Sequence, residues 1–146
     1  MKKFDSTVEL SKMNKHKHLE FIQNTITRMN NNSFLIKAWT ITILSGIFVF
    51  SLKDSKTWLY FFILVPLISL WILDSLYLRY ERKYRALYHE VSKKKEKHID
   101  FSMDISKFKS SKFNLSSCMF SETQRSFYGI LFVLLSSGFI IESKYY

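Results

Sequence analysis

The chain is poor in the residues that crosslink, bend or break a polypeptide: one cysteine (Cys118), one proline (Pro66) and three glycines in 146 residues. A lone cysteine excludes an intrachain disulfide, a cysteine-based zinc site and a CxxC redox pair. Beside Met119 and Phe120 it suits a small buried or interfacial side chain rather than a nucleophile, which needs a partnered histidine. There is no Gly-rich phosphate loop, no GxSxG elbow and no HExxH helix, and His16, His18, His89 and His98 form neither an i, i+4 pair nor a zinc signature. The expectation is a protein without catalytic residues, metal or cofactor, and not an enzyme.

What is present is segregated. The composition is 47% hydrophobic and 17% aromatic, with 14 phenylalanines and a net charge of +10, yet apolar and charged residues fall in separate blocks. The length suits one domain. Residues 1–33 are polar and basic, and Leu19, Ile22, Ile26 and Met29 recur at spacings of three and four. That pattern predicts an amphipathic helix lying on the membrane surface or against a partner helix. The first apolar run begins too late for a signal peptide, and no small-residue cleavage site follows it.

That run, "FLIKAWTITILSGIFVFSL" from Phe34 to Leu52, is interrupted only by Lys37. After the turn "KDSKT", a second run from Thr57 to Leu78 contains Asp74 as its ionisable group. About 20 such residues cross about 30 Å of hydrocarbon as a helix, so residues 34–78 read as a transmembrane hairpin. A buried soluble hairpin is the other reading, but little else in the chain could cover it. Pro66 would kink the second helix, which a membrane helix tolerates. A third run, "FYGILFVLLSSGFII" from Phe127 to Ile141, measures only roughly 22 Å as a helix. With Ser126, Tyr145 and Tyr146 extending it into the interface, residues 127–146 read as a third span, or else as a re-entrant or surface-lying segment. The fold class is therefore an all-α integral membrane protein: a hairpin, a short third span, an amphipathic N-terminal helix, and a loop region at 79–126 with one β-strand. Residues 1–33 hold six Lys and Arg and residues 79–126 hold twelve, against two in the hairpin turn and one after Ile141. The positive-inside bias then puts the N-terminus and the long loop on the cytoplasmic side of a bacterial inner membrane.

Lys37 and Asp74 fall at nearly the same depth in such a hairpin, close to the cytoplasmic face. Intramembrane charges usually pair or face a polar interior. An ion pair would fix the helix register; alternatively, Asp74 lines a polar pathway or caps an oligomer while Lys37 snorkels to the headgroups. Ala38, Thr42, Ser45 and Gly46 form a small-residue stripe on the first span, with Gly129, Ser136, Ser137 and Gly138 in the third. Small residues let membrane helices approach closely, in this case copies of the same chain.

Past Leu78 the second helix continues with Tyr80, Tyr84, Leu87, Tyr88 and Val91 on one face. Arg79, Arg82, Lys83 and Arg85 surround them, and Lys93, Lys94 and Lys95 follow in "SKKKEKH". A basic helix leaving a membrane suits an anionic leaflet, or is simply a solvated face. A nucleotide or nucleic-acid site is the sharper reading of these cations, but the sequence offers no stacking platform for it outside the membrane zone. "IDFSMDI" alternates, with Ile99, Phe101, Met103 and Ile105 on one side and Asp100, Ser102 and Asp104 on the other. It predicts a half-buried docking strand. Asp100 and Asp104 resemble half of a metal or acid/base site with no third ligand at a suitable spacing. Residues 106–117 read as a loop.

Taken together, "KHLEFIQNTITRMNNNSFLIKAW", "WILDSLYLRYERKYRALY" and "IDFSMD" resemble a family of small, uncharacterised bacterial membrane proteins with two or three spans. The resemblance covers most of the chain from His18 to Tyr128. It implies an accessory protein near defence or nucleotide-signalling genes, in which a cytoplasmic part senses a signal and the spans perturb the bilayer. Two functions are expected: an oligomeric, channel-like membrane effector in antiviral defence or signalling, or a non-catalytic membrane anchor that recruits a soluble partner. The expected partners are a bilayer with anionic headgroups, further copies of the chain, and a soluble protein or signalling nucleotide. Nucleic acid is not expected.

Overall fold

The computed structural model describes the backbone of residues 2–54 and 59–145, and the side chains of 9–49, 62–138 and 140. Among the described residues the regular structure is all helical: α1 (Lys2–Asp54), α2 (Leu59–Lys93), α3 (Leu115–Met119) and α4 (Glu122–Tyr145), with single 3-10 turns at Glu96–His98 and Ser111–Phe113. Most of the predicted hairpin turn, together with Tyr146, lies outside the described residues.

The amphipathic segment and the first apolar run are one uninterrupted helix of 53 residues, about 80 Å long. No glycine or proline stands between Glu9 and Gly46 to break it. α2 likewise runs for 35 residues, through Pro66. Among the described residues two helices are long and apolar enough to cross a membrane, one within Glu9–Val49 and one within Phe62–Lys93.

α1 and α2 form an antiparallel pair whose register holds along its length. Near one end Lys15 Nζ donates to the carbonyls of Ser92 and Lys94, at 3.1 and 2.7 Å, taking up the orphan oxygens at the α2 C-terminus. Lys37 meets Asp74 further along, and Leu44 packs with Ile63 and Leu67 beyond that. From Lys15 to Leu44 is roughly 44 Å of helix. The core divides into two apolar clusters. Ile22, Ile26, Leu87 and Val91 fill the polar half of the pair, termed here the stalk. Leu44, Ile63, Leu67 and Tyr128 fill the apolar half. The amphipathic face at Leu19, Ile22 and Ile26 is thus covered by the chain's own second helix. Leu87 and Val91 are buried against it, whereas Tyr80 and Tyr88, expected on the same face, point outward.

Residues 94–121 form a strap that runs back down α2. Its attachments fall in order: Lys107 to Glu90 at 2.8 Å, the Phe113 carbonyl to Arg79 Nε at 2.8 Å, and the Met119 carbonyl to Trp71 Nε1 at 3.3 Å. The strand expected at Ile99–Ile105 is corrected here, since none occurs among the described residues. The segment closes on itself instead of pairing: Asp100 Oδ1 accepts from Ser102 N, Ser102 Oγ from Asp104 N, and Asp104 Oδ1 from Ser106 N. Such local side-chain bonds compete with a ladder. The alternation also breaks at Phe101, whose φ of 53° swings its ring away while Ile99, Met103 and Ile105 pack onto the stalk core.

α4 begins at Glu122, ahead of the apolar run that predicted it, and its 24 residues amount to about 36 Å. Ile130, Val133, Leu134 and Ile140 are exposed on its outer side.

Candidate functional site: a buried polar latch

Between the two apolar clusters lies a layer of polar side chains contributed by three helices. Asp74 of α2 is fully buried. One of its oxygens, Oδ2, lies 2.5 Å from Lys37 Nζ and accepts a hydrogen bond from the Tyr128 hydroxyl at 3.2 Å. The other, Oδ1, accepts from Ser33 Oγ. Lys37 also donates to Ser33 Oγ at 2.9 Å, and its ammonium lies 5.9 Å from the Phe127 ring centroid. Both carboxylate oxygens are therefore occupied within one chain. This is what a buried charge requires, because pairing alone seldom repays desolvation without further hydrogen bonds.

Local sequence makes the layer possible. Ser33 and Lys37 stand one turn apart on α1, so both face α2. Thr40 and Ser75, also buried, return their hydroxyls to the carbonyls of Ile36 and Trp71, at 2.7 Å each. Trp71 stacks on Tyr128 with centroids 5.7 Å apart and an interplanar angle of 24°. Its ring also meets Phe120 and Phe132 edge-on, which seats α4 on the hairpin. The i, i+4 spacing of Ser33 to Lys37 was available as a signal for Ser33. No sequence signal pointed to Tyr128, whose contact with Asp74 spans 54 positions.

The basic residues past the latch divide by role. Arg79 and Arg82 turn inward, Arg79 to the Phe113 carbonyl and Arg82 to the Lys112 carbonyl at 3.3 Å and Cys118 Sγ at 3.7 Å. Arg85 pairs with Glu81 at 2.6 Å, and Lys94 with Glu90 at 3.0 Å. Lys83 is half-buried, and Lys93 and Lys95 are exposed. Ala38, Thr42, Ser45 and Gly46 are all exposed, so within one chain the hairpin packs through Ile36, Thr40 and Leu44 on the other side of α1. Asp100 Oδ1 and both oxygens of Asp104 accept hydrogen bonds within the strap's own turns.

Burial pushes the Cys118 thiol up, against the smaller opposing effects of Arg82 and Arg79. Maleimide labelling of Cys118 at neutral pH is therefore expected to be slow. Arg79→Ala removes a charge-assisted bond worth about 1.5–3 kcal/mol and should speed labelling roughly ten- to a hundredfold as the strap opens. Unchanged kinetics would detach Arg79 from strap closure.

His18, on the stalk, is 4% exposed. Its Nε2 has no hydrogen-bond partner among the described residues, and its ring lies edge-on to Phe101 at 5.5 Å. Burial lowers its pKa below the usual value of 6.5, with Asp100 opposing. The proton then prefers the unfolded chain, so stability is complete above about pH 6.5 and declines as the pH falls below it. Thermal unfolding from neutral to mildly acidic pH should show this loss, and His18→Gln should flatten it.

The profile of one family, described as a protein of unknown function (DUF3278), matches residues 16–123. The chain belongs to that family. The DUF3278 region takes in Ser33, Lys37, Asp74, the stalk faces and the strap, while Tyr128 reaches the latch from beyond it. No curated protein and no solved structure matches the chain.

Proposed function

We propose that this DUF3278 protein is a non-catalytic membrane anchor that holds a rigid stalk in the cytoplasm for a soluble partner. The observation that carries this reading is the internal occupation of both Asp74 oxygens by Ser33, Lys37 and Tyr128. A carboxylate committed in this way fixes helix register instead of serving an ion path. The Lys and Arg counts support a cytoplasmic stalk at a bacterial inner membrane, with α4 as a third span. The test is purification of the full chain from its native membrane in mild detergent, followed by native mass spectrometry. A stoichiometric soluble protein that is lost when residues 94–121 are deleted is expected. A bare homo-oligomer that conducts in planar bilayers would refute the anchor.

One observation favours the second reading, an oligomeric channel-like effector in defence or signalling. The face of Ala38, Thr42, Ser45 and Gly46 is exposed, and a Cβ at Gly46 would meet nothing within 4 Å, so a second copy could approach closely there. Disulfide crosslinking of Gly46→Cys in native membranes, together with conductance, would support it.

A further inference from the structure

Where α2 ends, the stalk opens into a concavity of ≈ 480 Å³ walled by Lys15, Lys93, Lys94, Lys95 and Lys97. Among the described residues Glu96 is the one carboxylate in that wall. Two of the five cations are already engaged. Lys15 holds the Ser92 and Lys94 carbonyls, and Lys94 pairs with Glu90 at 3.0 Å. Lys93, Lys95 and Lys97 are exposed, and none of the three forms an ion pair among the described residues. They are mounted on three different backbones: Lys93 is the last residue of α2, Lys95 is extended with a ψ of 147°, and Lys97 lies in the 3-10 turn. Such a mounting spreads the charge along a path. Like charges held this close repel one another, so their positions are better explained by an anion outside the chain than by the fold.

We propose that this concavity docks an acidic segment of the soluble partner, a run of Asp and Glu side chains laid across Lys93, Lys95 and Lys97. The inference rests on the anchor reading and names the chemistry of the partner. The way the wall is built favours spaced carboxylates over phosphate. Phosphate sites commonly use a helix N-terminus, whereas the helix end here is the C-terminal one, which carries partial negative charge. Every cation in the wall is a lysine, a point charge without the arginine fork that grips phosphate at two oxygens. Glu96 would also face a compact polyanion at close range, while carboxylates strung along a peptide can meet the lysines singly and pass it by. No aromatic ring lines the concavity, so bases would find no platform there. Distance removes the chain's own bilayer, because Lys15 lies roughly 33 Å along α1 from Lys37. That is about four Debye lengths at physiological ionic strength, and headgroups at the level of the latch are screened from it.

The test is fluorescence anisotropy of the full chain, in nanodiscs of zwitterionic lipid, with a labelled peptide of alternating Glu and Ser. Its Gln and Ser counterpart, tripolyphosphate and a single-stranded oligonucleotide serve as comparisons. The Glu peptide is expected to bind, the Gln peptide to fail, and the affinity to fall as salt is raised. Lys93→Gln, Lys95→Gln and Lys97→Gln combined remove three exposed pairs and should weaken binding about 3- to 150-fold. Lys83→Gln, Lys109→Gln and Lys112→Gln combined remove the same charge elsewhere and should leave it almost unchanged. Equal losses in the two triple variants, tighter binding of tripolyphosphate or the oligonucleotide than of the Glu peptide, or no peptide binding at low salt would each overturn the proposal. Purification from native membranes separates it from the anchor reading: the partner should be lost from the Lys93, Lys95 and Lys97 variant and kept by the other. A partner kept by both overturns the docking site and leaves the anchor standing. A bare homo-oligomer that still binds the Glu peptide in the predicted way refutes the anchor alone and leaves the concavity as a site for acidic segments.

Discussion

Lys37→Ala is expected to be the most damaging substitution in the latch, lowering stability by about 3–5 kcal/mol, the range for breaking a buried ion pair from one side. The two partners differ in their alternatives. Asp74 is fully buried, while the Lys37 side chain retains 18% exposure and carries its charge on a flexible stem that can reach for the interface. Removing the lysine strands a carboxylate with only two hydroxyl donors. Removing the carboxylate leaves an ammonium that can leave the layer, so Asp74→Ala should cost less than Lys37→Ala. The double variant Lys37→Met with Asp74→Leu should recover most of the loss, since an apolar pair of similar volume often matches a buried ion pair. Thermal unfolding of the purified chain in mild detergent, analysed as a double-mutant cycle, would check this. Equal losses in both single variants would mean that Lys37 is as confined as Asp74.

Leu87→Ala should cost about 2–5 kcal/mol, as expected for truncating a fully buried aliphatic side chain, and the damage should stay on one side of the latch. Leu87 belongs to the cluster with Ile22, Ile26 and Val91, whereas Leu44, Ile63 and Leu67 form another, with the polar layer between them. Amide exchange read by mass spectrometry should therefore quicken over residues 15–30 and 84–108, while residues around Leu44 and Leu67 keep their protection. If residues 15–30 stayed protected in the variant, that part of α1 would be resting on something other than α2, such as the membrane surface.

The parts of the fold that depend on local pattern were legible in the sequence. Leu19, Ile22 and Ile26 announced an inward face by spacing alone, and the length and apolarity of the two runs marked the helices that could cross a membrane. Equal depth in a hairpin puts Lys37 and Asp74 at one level by sequence position alone. What could not be read depended on contacts between distant residues. Tyr128 enters the latch across 54 positions, and Arg79 holds a carbonyl 34 positions away, where no periodicity reports. The "IDFSMDI" alternation misled because period two reports which side chains face inward, and says nothing about whether a second strand is there to pair. In its place Asp100, Ser102 and Asp104 hydrogen-bond their own backbone, and one dihedral angle at Phe101 turns an expected core ring into the rim of a hollow. Nothing in the spacing of the four histidines sets His18 apart; its burial comes with the ring of Phe101 that the strap brings against it.

The order of the latch along the chain sets a timetable for synthesis. Ser33 and Lys37 leave the ribosome before Asp74, so the carboxylate emerges with its counter-ion and one hydroxyl donor already made. Tyr128 follows 54 residues later, an interval of roughly 3–11 s at 5–20 residues per second. The α1–α2 hairpin can thus form with its carboxylate already partnered by Ser33 and Lys37 of α1, and α4 arrives afterwards as the piece that closes the latch.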